Sequence, residues 1–247
     1  MFRHLCAALL LTSILVSASA REMEFSGYRW LVRSSEGQFS GPGPNLFAGT
    51  PDFVNVDADG KLHLFIRKSG TIWACSEVTL SQAMGYGTYE IEVETNPFNM
   101  DRQAVFGFFT YSSSAEQNHR ELDIELSYWG RPTETRNGQF VVQPSGPPGS
   151  VSRFEVNHSA TIYSIHWTKK MALFTAKNVN GAVIKQWIKT ENVPKTGDAR
   201  PQINLWLTKG LAPQNDQSVE FIIKRFTFTP EISHAQSTHN SPVKFNR

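Results

Sequence analysis

Apolar and polar positions alternate in short segments along most of this chain. In an extended strand successive side chains point to opposite faces, so this alternation is typical of strands with one buried face. Segments with this pattern cover residues 61–68, 87–95, 104–112, 121–129, 160–167, 203–208 and 219–228. Turn-forming Gly, Pro, Asn and Asp residues separate them, and no segment keeps the apolar period of a helix. The sequence therefore predicts an all-β fold, a two-sheet antiparallel β-sandwich that occupies residues 21–230 as one domain.

The two ends of the chain depart from this pattern. Residues 1–20 combine Arg3 and His4 with a short apolar stretch and a final Ala-Ser-Ala triplet, the composition of a secretory signal peptide cleaved after Ala20. The apolar stretch is too short to span a bilayer. We therefore expect a secreted protein, extracellular or periplasmic, without a membrane attachment. Residues 231–247 are polar and lack periodicity, which predicts a flexible C-terminal tail.

The composition is that of an ordinary globular domain with little net charge. The 24 Lys and Arg residues are nearly balanced by 22 Asp and Glu residues, and no basic run stands out. A nucleic-acid partner is therefore not expected, and we expect a monomer that binds an uncharged ligand.

Cys75 is the only cysteine after residue 20, and its apolar setting predicts a buried thiol. The seven histidines show no paired metal-ligand spacing, so we expect no catalytic metal and no required cofactor.

Acidic residues recur at every second position of two predicted strands, which places each set on one face. The two trios are Glu90, Glu92 and Glu94 in the first strand and Glu121, Asp123 and Glu125 in the second. A row of like charges is tolerated in water or retained for chemistry. Each trio is therefore either a solvated outer face or the lining of a sugar-binding cleft, where two carboxyls flank a glycosidic bond.

Neighbouring aromatic residues favour the second trio as the cleft. Phe109 and Tyr111 share one face of the preceding strand, and strand alternation alone places Trp129 on the face of the trio. The first trio is followed only by Asn96 and Pro97. Because sugar rings stack on aromatic side chains, we expect the second trio to lie in a carbohydrate site.

The second trio also carries a family resemblance. Residues 121–125, Glu-Leu-Asp-Ile-Glu, match the Glu-x-Asp-x-Glu active-site strand of glycoside hydrolase family 16. Further segments occur in the family's order: DGKLHL from residue 59, ACSEV from 74, MGYGTYEIEV from 84, GFFTYS from 107, IYSIHW from 162 and INLWL from 203. Within the family the chain resembles most closely the bacterial lichenase-like endo-β-glucanases. The resemblance implies a concanavalin A-like jelly roll that hydrolyses a β-glucan polysaccharide with retention of configuration.

The resemblance also implies roles for individual residues. Glu121 matches the nucleophile, Glu125 the general acid/base and Asp123 the helper between them. The residues at positions where such enzymes hold the sugar are Glu77, Phe109, Tyr111, Asn204 and Trp206. Lichenase-like relatives also hold a structural calcium ion, largely through backbone oxygens, so such an ion is implied here as well.

Several positions depart from the lichenase-like pattern and affect the expected specificity. His119 and Arg120 replace an aromatic and an acidic residue, Thr79 replaces an arginine, and residues 141–143 replace a segment that offers Asn and Tyr. A β-1,3/1,4-glucan and a β-1,3-glucan therefore both remain candidate substrates. Two other functions also remain open, namely a non-catalytic carbohydrate-binding module on the same fold and a transglycosylase.

Overall fold

The structure of the protein, a computed structural model, describes residues 20–156 and 160–232. Within these residues the chain forms sixteen strands and three short 3-10 turns at Pro97–Asn99, Asn118–Arg120 and Thr208–Gly210. The strands are Glu22–Phe25 (β1), Tyr28–Val32 (β2), Leu46–Phe47 (β3), Val54–Val56 (β4), Leu62–Ser69 (β5), Ile72–Leu80 (β6), Gly87–Val93 (β7), Ala104–Tyr111 (β8), Leu122–Ser127 (β9), Gly138–Val142 (β10), Val151–Phe154 (β11), Ala160–Trp167 (β12), Ala172–Asn178 (β13), Val183–Lys189 (β14), Arg200–Leu207 (β15) and Val219–Pro230 (β16).

The strands form two layers that are joined at one edge. The front sheet has the order β2-β6-β15-β8-β9-β10-β11, and the back sheet has the order β4-β5-β16-β7-β12-β13-β14. The hairpin between β5 and β6 pairs Ser69 with Ile72 and connects the layers. Among the described strands every pairing is antiparallel except that of β3 with β6. The predicted all-β, two-sheet antiparallel sandwich is therefore confirmed.

Aromatic side chains fill the space between the layers. Phe106 on β8 stacks on Phe221 of β16 with ring centroids 3.8 Å apart. Phe140 on β10 stacks on Phe174 of β13 at 5.4 Å. All four side chains are fully buried, and each such ring removes a large apolar surface from water. The packing fixes the front sheet, so its outer face is a rigid platform.

Strand alternation decides which acidic residues face outward. On β9 the side chains of Leu122, Ile124 and Leu126 are fully buried in the core. The residues between them, Asp123 and Glu125, therefore point away from the core, over the outer face of the front sheet.

The first acidic trio lies on the back sheet. Tyr89, Ile91 and Val93 of β7 are buried in the core, which leaves the glutamates of this strand on the opposite face. Glu92 forms ion pairs with Lys224 and Arg225 of β16 at 2.7 and 2.9 Å. The arrangement agrees with the interpretation of this trio as a solvated outer face.

The ends of the predicted segments differ from the structure in one place that matters for the site. The strand predicted over residues 121–129 ends at Ser127, and Trp129 has a φ of 49°. Alternation along a strand therefore does not reach Trp129, and the face predicted for it from strand phase does not apply.

Both predicted terminal segments fall almost entirely outside the described residues. Of the proposed signal peptide only Ala20 is described, and of the proposed tail only residues 231 and 232. No helix among the described residues has the length and apolar character needed to cross a membrane.

Candidate active site

A single row of paired residues crosses the outer face of the front sheet. Residues directly opposite each other in antiparallel strands place their side chains on the same face. The row, which we call the central row, runs from β6 to β11 as Glu77, Asn204, Gly107, Glu125, Gln139 and Arg153. A parallel row pairs Asp123 with Phe109 and Phe109 with Gln202. The register of six strands thus brings together residues that are far apart in sequence.

An open cleft of about 780 Å³ lies over these rows. Eight of the nine residues predicted for the site line it: Glu77, Phe109, Tyr111, Glu121, Asp123, Glu125, Asn204 and Trp206. The structure therefore brings the acidic trio, three of the four predicted aromatic residues and the two predicted polar residues into one cavity. Its volume is in the range usual for small-ligand sites.

The three carboxyls of the second trio influence one another through a hydrogen bond and through the repulsion of their charges. Asp123 is 4% exposed, and burial together with the charges of Glu121 and Glu125 raises its pKa well above the ordinary value. Its carboxyl forms a hydrogen bond with Glu121 and accepts another from Gln143 Nε2 at 2.9 Å. A carboxyl with a raised pKa carries the proton, so Asp123 donates to Glu121 and favours the ionised form of that residue.

Glu121 and Glu125 have different surroundings although they lie on one face. Burial raises the pKa of Glu121, and the hydrogen bond from Asp123 opposes this shift. Burial raises the pKa of Glu125 to about 7, a hydrogen bond donated by Gln139 opposes the shift, and the charge of Glu121 adds to it. Two carboxyls with separated pKa values can hold one proton between them, which is the condition for one to act as a base or nucleophile while the other acts as an acid.

A strained segment leads into Glu121. The four preceding residues, 117–120, have φ values between 51° and 59°, a region that non-glycine residues rarely adopt. Arg120 is buried and holds the segment by donating to Glu116 Oε2 and to the carbonyl of Lys195. His119 stacks on Tyr111 with ring centroids 4.7 Å apart. The segment thus fixes where β9 begins and where Glu121 stands at the rim of the cleft.

A buried ion pair lies at the far end of the central row. Glu77 is 5% exposed, and both of its carboxylate oxygens accept hydrogen bonds from Arg33 Nη1 at 3.0 Å. Asn204 Nδ2 donates to Glu77 Oε2 at 3.2 Å. Burial raises the pKa of Glu77, and the charge of Arg33 opposes the shift. Arg33, which also lines the cleft, was not predicted from the sequence.

We expect Arg33→Met to destabilise the protein by about 3 kcal/mol, because it leaves Glu77 as a buried carboxylate without its cation. Loss of the cation raises the pKa of Glu77 further, so the deficit should be smaller at pH 4 than at pH 7. Chemical denaturation at the two pH values measures both effects. Lys68→Met is the control, because the exposed Lys68–Asp216 pair is worth less than about 1 kcal/mol. Equal losses in the two variants would contradict the expectation.

The cleft floor is open where Gly107 lies beside Glu125. A Cβ at Gly107 would come within 2.5 Å of Asn204 Oδ1, so no larger residue fits there without a shift. Asn204 Oδ1 is buried and has no hydrogen-bond partner among the described residues. A buried amide oxygen of this kind is free to accept a hydrogen bond from a ligand hydroxyl.

Trp129 is the one predicted site residue that does not line this cleft. It lies at a second cavity of about 460 Å³, next to the cleft, where the guanidinium of Arg153 lies 4.0 Å from its ring centroid.

The sequence did not predict that Gln139 and Gln143 contact the acidic trio. Gln139 donates a hydrogen bond to Glu125, and Gln143 donates one to Asp123. They lie on or just after β10, and only the pairing of β10 with β9 brings them to the trio.

Other candidate chemistry is limited among the described residues. No group of three or more His, Cys, Asp and Glu side chains in residues 20–156 and 160–232 has the geometry of a metal site. The calcium ion implied by the resemblance would depend on backbone oxygens and stays a prediction. The Cys75 thiol is buried, as its apolar setting predicts, and burial raises its pKa to about 12.

The fold and the cleft together define a β-sandwich with a carboxylate-lined groove on its front sheet. A family model described as Glycosyl hydrolases family 16 matches residues 47–223, which is more than half of the chain. The chain therefore belongs to glycosyl hydrolase family 16, as the sequence resemblance predicted. No curated protein sequence matches the chain.

Solved structures with similar folds include enzymes and a protein described as a pseudo-enzyme. The Bacillus licheniformis β-glucanase has a TM-score of 0.65 at 18% identity, covering 87% of this chain and 100% of that chain. A laminarinase from Flavobacterium sp. UMI-01 has a TM-score of 0.61 at 16% identity, covering 81% and 92%. A pseudo β-1,3-glucanase of Mycobacterium tuberculosis has a TM-score of 0.58 at 16% identity, covering 81% and 91%. At these identities the likeness establishes the fold.

Proposed function

We propose that the protein is a secreted, retaining endo-β-glucanase that cleaves β-1,3/1,4-glucan or β-1,3-glucan through a covalent intermediate on Glu121. One observation carries the proposal: Glu121 and Glu125 line one open cleft, where burial raises the pKa of Glu125 to about 7 and a hydrogen bond from Asp123 favours the ionised form of Glu121. Family membership and the two glucanase neighbours of similar fold support the same substrate class. Export would depend on residues 1–20 as a signal peptide.

The first step forms the glycosyl-enzyme. An oxygen of ionised Glu121 attacks the anomeric carbon, and the bond from that carbon to the glycosidic oxygen breaks. Glu125 delivers its proton to the departing oxygen, which leaves as the hydroxyl of the released glycan. The hydrogen bond from Asp123 favours the ionised form of Glu121 before the attack.

The second step hydrolyses the intermediate. Glu125, now ionised, takes a proton from water as the water oxygen attacks the same anomeric carbon. The bond to Glu121 breaks and the carboxylate is restored. Because two displacements occur at one carbon, the product keeps the original configuration.

The remaining lining residues would hold the sugar chain. Trp206 and Phe109 offer aromatic surface for stacking of sugar rings. Asn204 Oδ1 offers a free acceptor for a sugar hydroxyl, and Glu77 orients Asn204 through its amide nitrogen. The cleft is open along the sheet, which suits a chain that is cut internally.

The direct test incubates residues 21–247 with barley mixed-linkage glucan, laminarin and xyloglucan and measures new reducing ends. We expect cleavage of at least one of the first two glucans, and proton NMR of the first product should show the β-anomer. Binding without cleavage of any glycan would instead favour a carbohydrate-binding module. Transfer to an added acceptor oligosaccharide in preference to water would favour a transglycosylase.

The pH dependence of the reaction should follow the proton on Glu125. Because Glu125 must be protonated and its pKa is raised to about 7, kcat/KM should fall as the pH rises above about 7. Gln139→Leu removes a hydrogen bond that favours the ionised form, so this alkaline limb should move to higher pH. Profiles of kcat/KM from pH 4 to 9 measure both. If the alkaline limb stays at the same pH in the Gln139→Leu variant, it does not report the titration of Glu125.

A further inference from the structure

The second cavity continues the cleft beyond Glu125. In the central row Glu125 on β9 is followed by Gln139 on β10 and Arg153 on β11, and the last two line the second cavity. Gln139 also donates a hydrogen bond to Glu125, so one side chain separates the two spaces. The other end of the row, with Asn204 and Glu77, lies on the opposite side of Glu125. A chain bound along the sheet would therefore pass from the cleft into this cavity.

Positive charge is concentrated around the second cavity. Arg131, Arg153 and Lys209 line it, and Arg136 lies close by. The three arginines share one carboxylate, Glu134, with N–O distances of 3.5, 3.4 and 3.2 Å for Arg131, Arg153 and Arg136. The cluster therefore has an excess of positive charge, although the whole chain has a formal charge of only +2.

Several polar atoms around this cavity lack partners. Arg153 Nε and Thr208 Oγ1 are buried and have no hydrogen-bond partner among the described residues. Both can donate a hydrogen bond, and Lys209 adds further donors to the lining. Gln103 Oε1, beside Gly130 of the same lining, is a buried acceptor that also lacks a partner among the described residues. Buried polar atoms are normally paired, so these atoms are available to a polar ligand, and Arg153 Nε in particular can only donate to an acceptor.

An aromatic surface completes the cavity. Trp129 stacks with the guanidinium of Arg153 and is half-buried, so part of its ring faces the cavity. A sugar ring could lie on that surface while its substituent reaches the cationic groups. Trp129, whose position was wrongly predicted from strand alternation, thus lies where a second sugar would bind.

We propose that the second cavity binds an anionic substituent, a carboxylate or a sulfate ester, on a sugar of the leaving-group side of the glycan. The proposal rests on the function proposed above, because that function makes Glu125 the donor to the leaving group. The sugars beyond Glu125, toward Gln139 and Arg153, then belong to the departing fragment. The substrate would be an acidic β-glucan or a related acidic β-glycan, in contrast to the uncharged ligand expected from the whole-chain composition.

The test compares neutral laminarin, laminarin oxidised at C6 to carboxylate, and sulfated laminarin at low ionic strength. We expect one of the acidic forms to have a lower KM than the neutral form. Lys209→Gln and Arg131→Gln should each weaken that form about tenfold, the loss expected for one charge-assisted hydrogen bond. Their effect on neutral laminarin should be small. Lys209 is exposed and the Arg131 side chain is 59% exposed, so neither substitution removes core packing.

Lys170→Gln is the matched control, because Lys170 is an exposed lysine between β12 and β13 on the back sheet. It removes one positive charge and should leave all three laminarins unaffected. An equal loss in this variant would indicate a general charge effect and overturn the proposal. No advantage of either acidic form over neutral laminarin in the unaltered protein would also overturn it. Preference for the carboxylate or for the sulfate ester identifies the anion.

A binding measurement separates failure of this proposal from failure of the catalytic one. If no laminarin is cleaved, titration calorimetry with the same three glycans still reports on the cavity. If an acidic form binds without being cleaved, and Lys209→Gln weakens that binding, the anion site is supported and the proposed hydrolase activity is contradicted. If cleavage occurs, mass spectrometry of the products should find the anionic sugar in the fragment that keeps the original reducing end. If anionic sugars occur only in the other fragment, the anion binds on the opposite side of Glu125, and the proposal is overturned.

Discussion

Glu121→Gln should lower kcat on β-glucan by at least about 10⁴-fold, because an amide cannot form the glycosyl-enzyme. The fold should remain intact, since glutamine has the same shape as glutamate. Burial raises the pKa of Glu121, so the ionised side chain costs stability in the folded protein. The variant should therefore unfold at the same temperature or slightly higher, while glycan binding is kept. Reducing-end assays, thermal unfolding and titration calorimetry measure the three quantities.

Glu90→Gln supplies the matched control for this prediction. Glu90 is the first member of the trio on β7, as Glu121 is the first member of its own trio, but it faces outward from the back sheet. The control should leave kcat within about twofold, the range expected for a surface site. If activity survives in Glu121→Gln, or is lost in Glu90→Gln, the catalytic residues have been assigned to the wrong strand.

The sequence predicted the layers of the fold because period-two alternation is a local property. Leu122, Ile124 and Leu126 show the buried face of β9 without any knowledge of the partner strands. The same rule failed at Trp129, because a local turn with a positive φ ends the strand after Ser127. No alternation pattern announces such a turn in advance.

The site was predictable where one strand carries it and less so where several strands meet. The acidic trio lies on β9 and on the extended residue directly before it, so its common face follows from spacing alone. Arg33, Gln139 and Gln143 reach the cleft through the pairing of distant strands, and the register of those pairs is set by packing and turns that the sequence does not reveal. The second cavity was missed for the same reason, since its cations come from the segment after β9, from β11 and from the turn after β15.

Glu125→Ala should separate the acid from the nucleophile. On β-glucan we expect a loss of about 10²–10⁴-fold, because the departing oxygen receives no proton. A 2,4-dinitrophenyl β-glycoside has a leaving group that departs without a proton, so formation of the glycosyl-enzyme should persist and its hydrolysis should become limiting. Azide, which needs no general base and fits the space left by the side chain, should then raise kcat and give a β-glycosyl azide. Burst kinetics and NMR of the product measure both steps.

The matched control is Glu94→Ala, which removes the third member of the outward trio on the back sheet, where Glu94 pairs with Lys61. It should respond neither to the leaving group nor to azide. The two variants test the separation of roles that the surroundings impose: burial raises the pKa of Glu125 to about 7, while the bond from Asp123 favours ionised Glu121. An α-glycosyl azide from the Glu125→Ala variant would mean that attack occurs from the opposite face, and Glu121 would then not be the residue that holds the sugar.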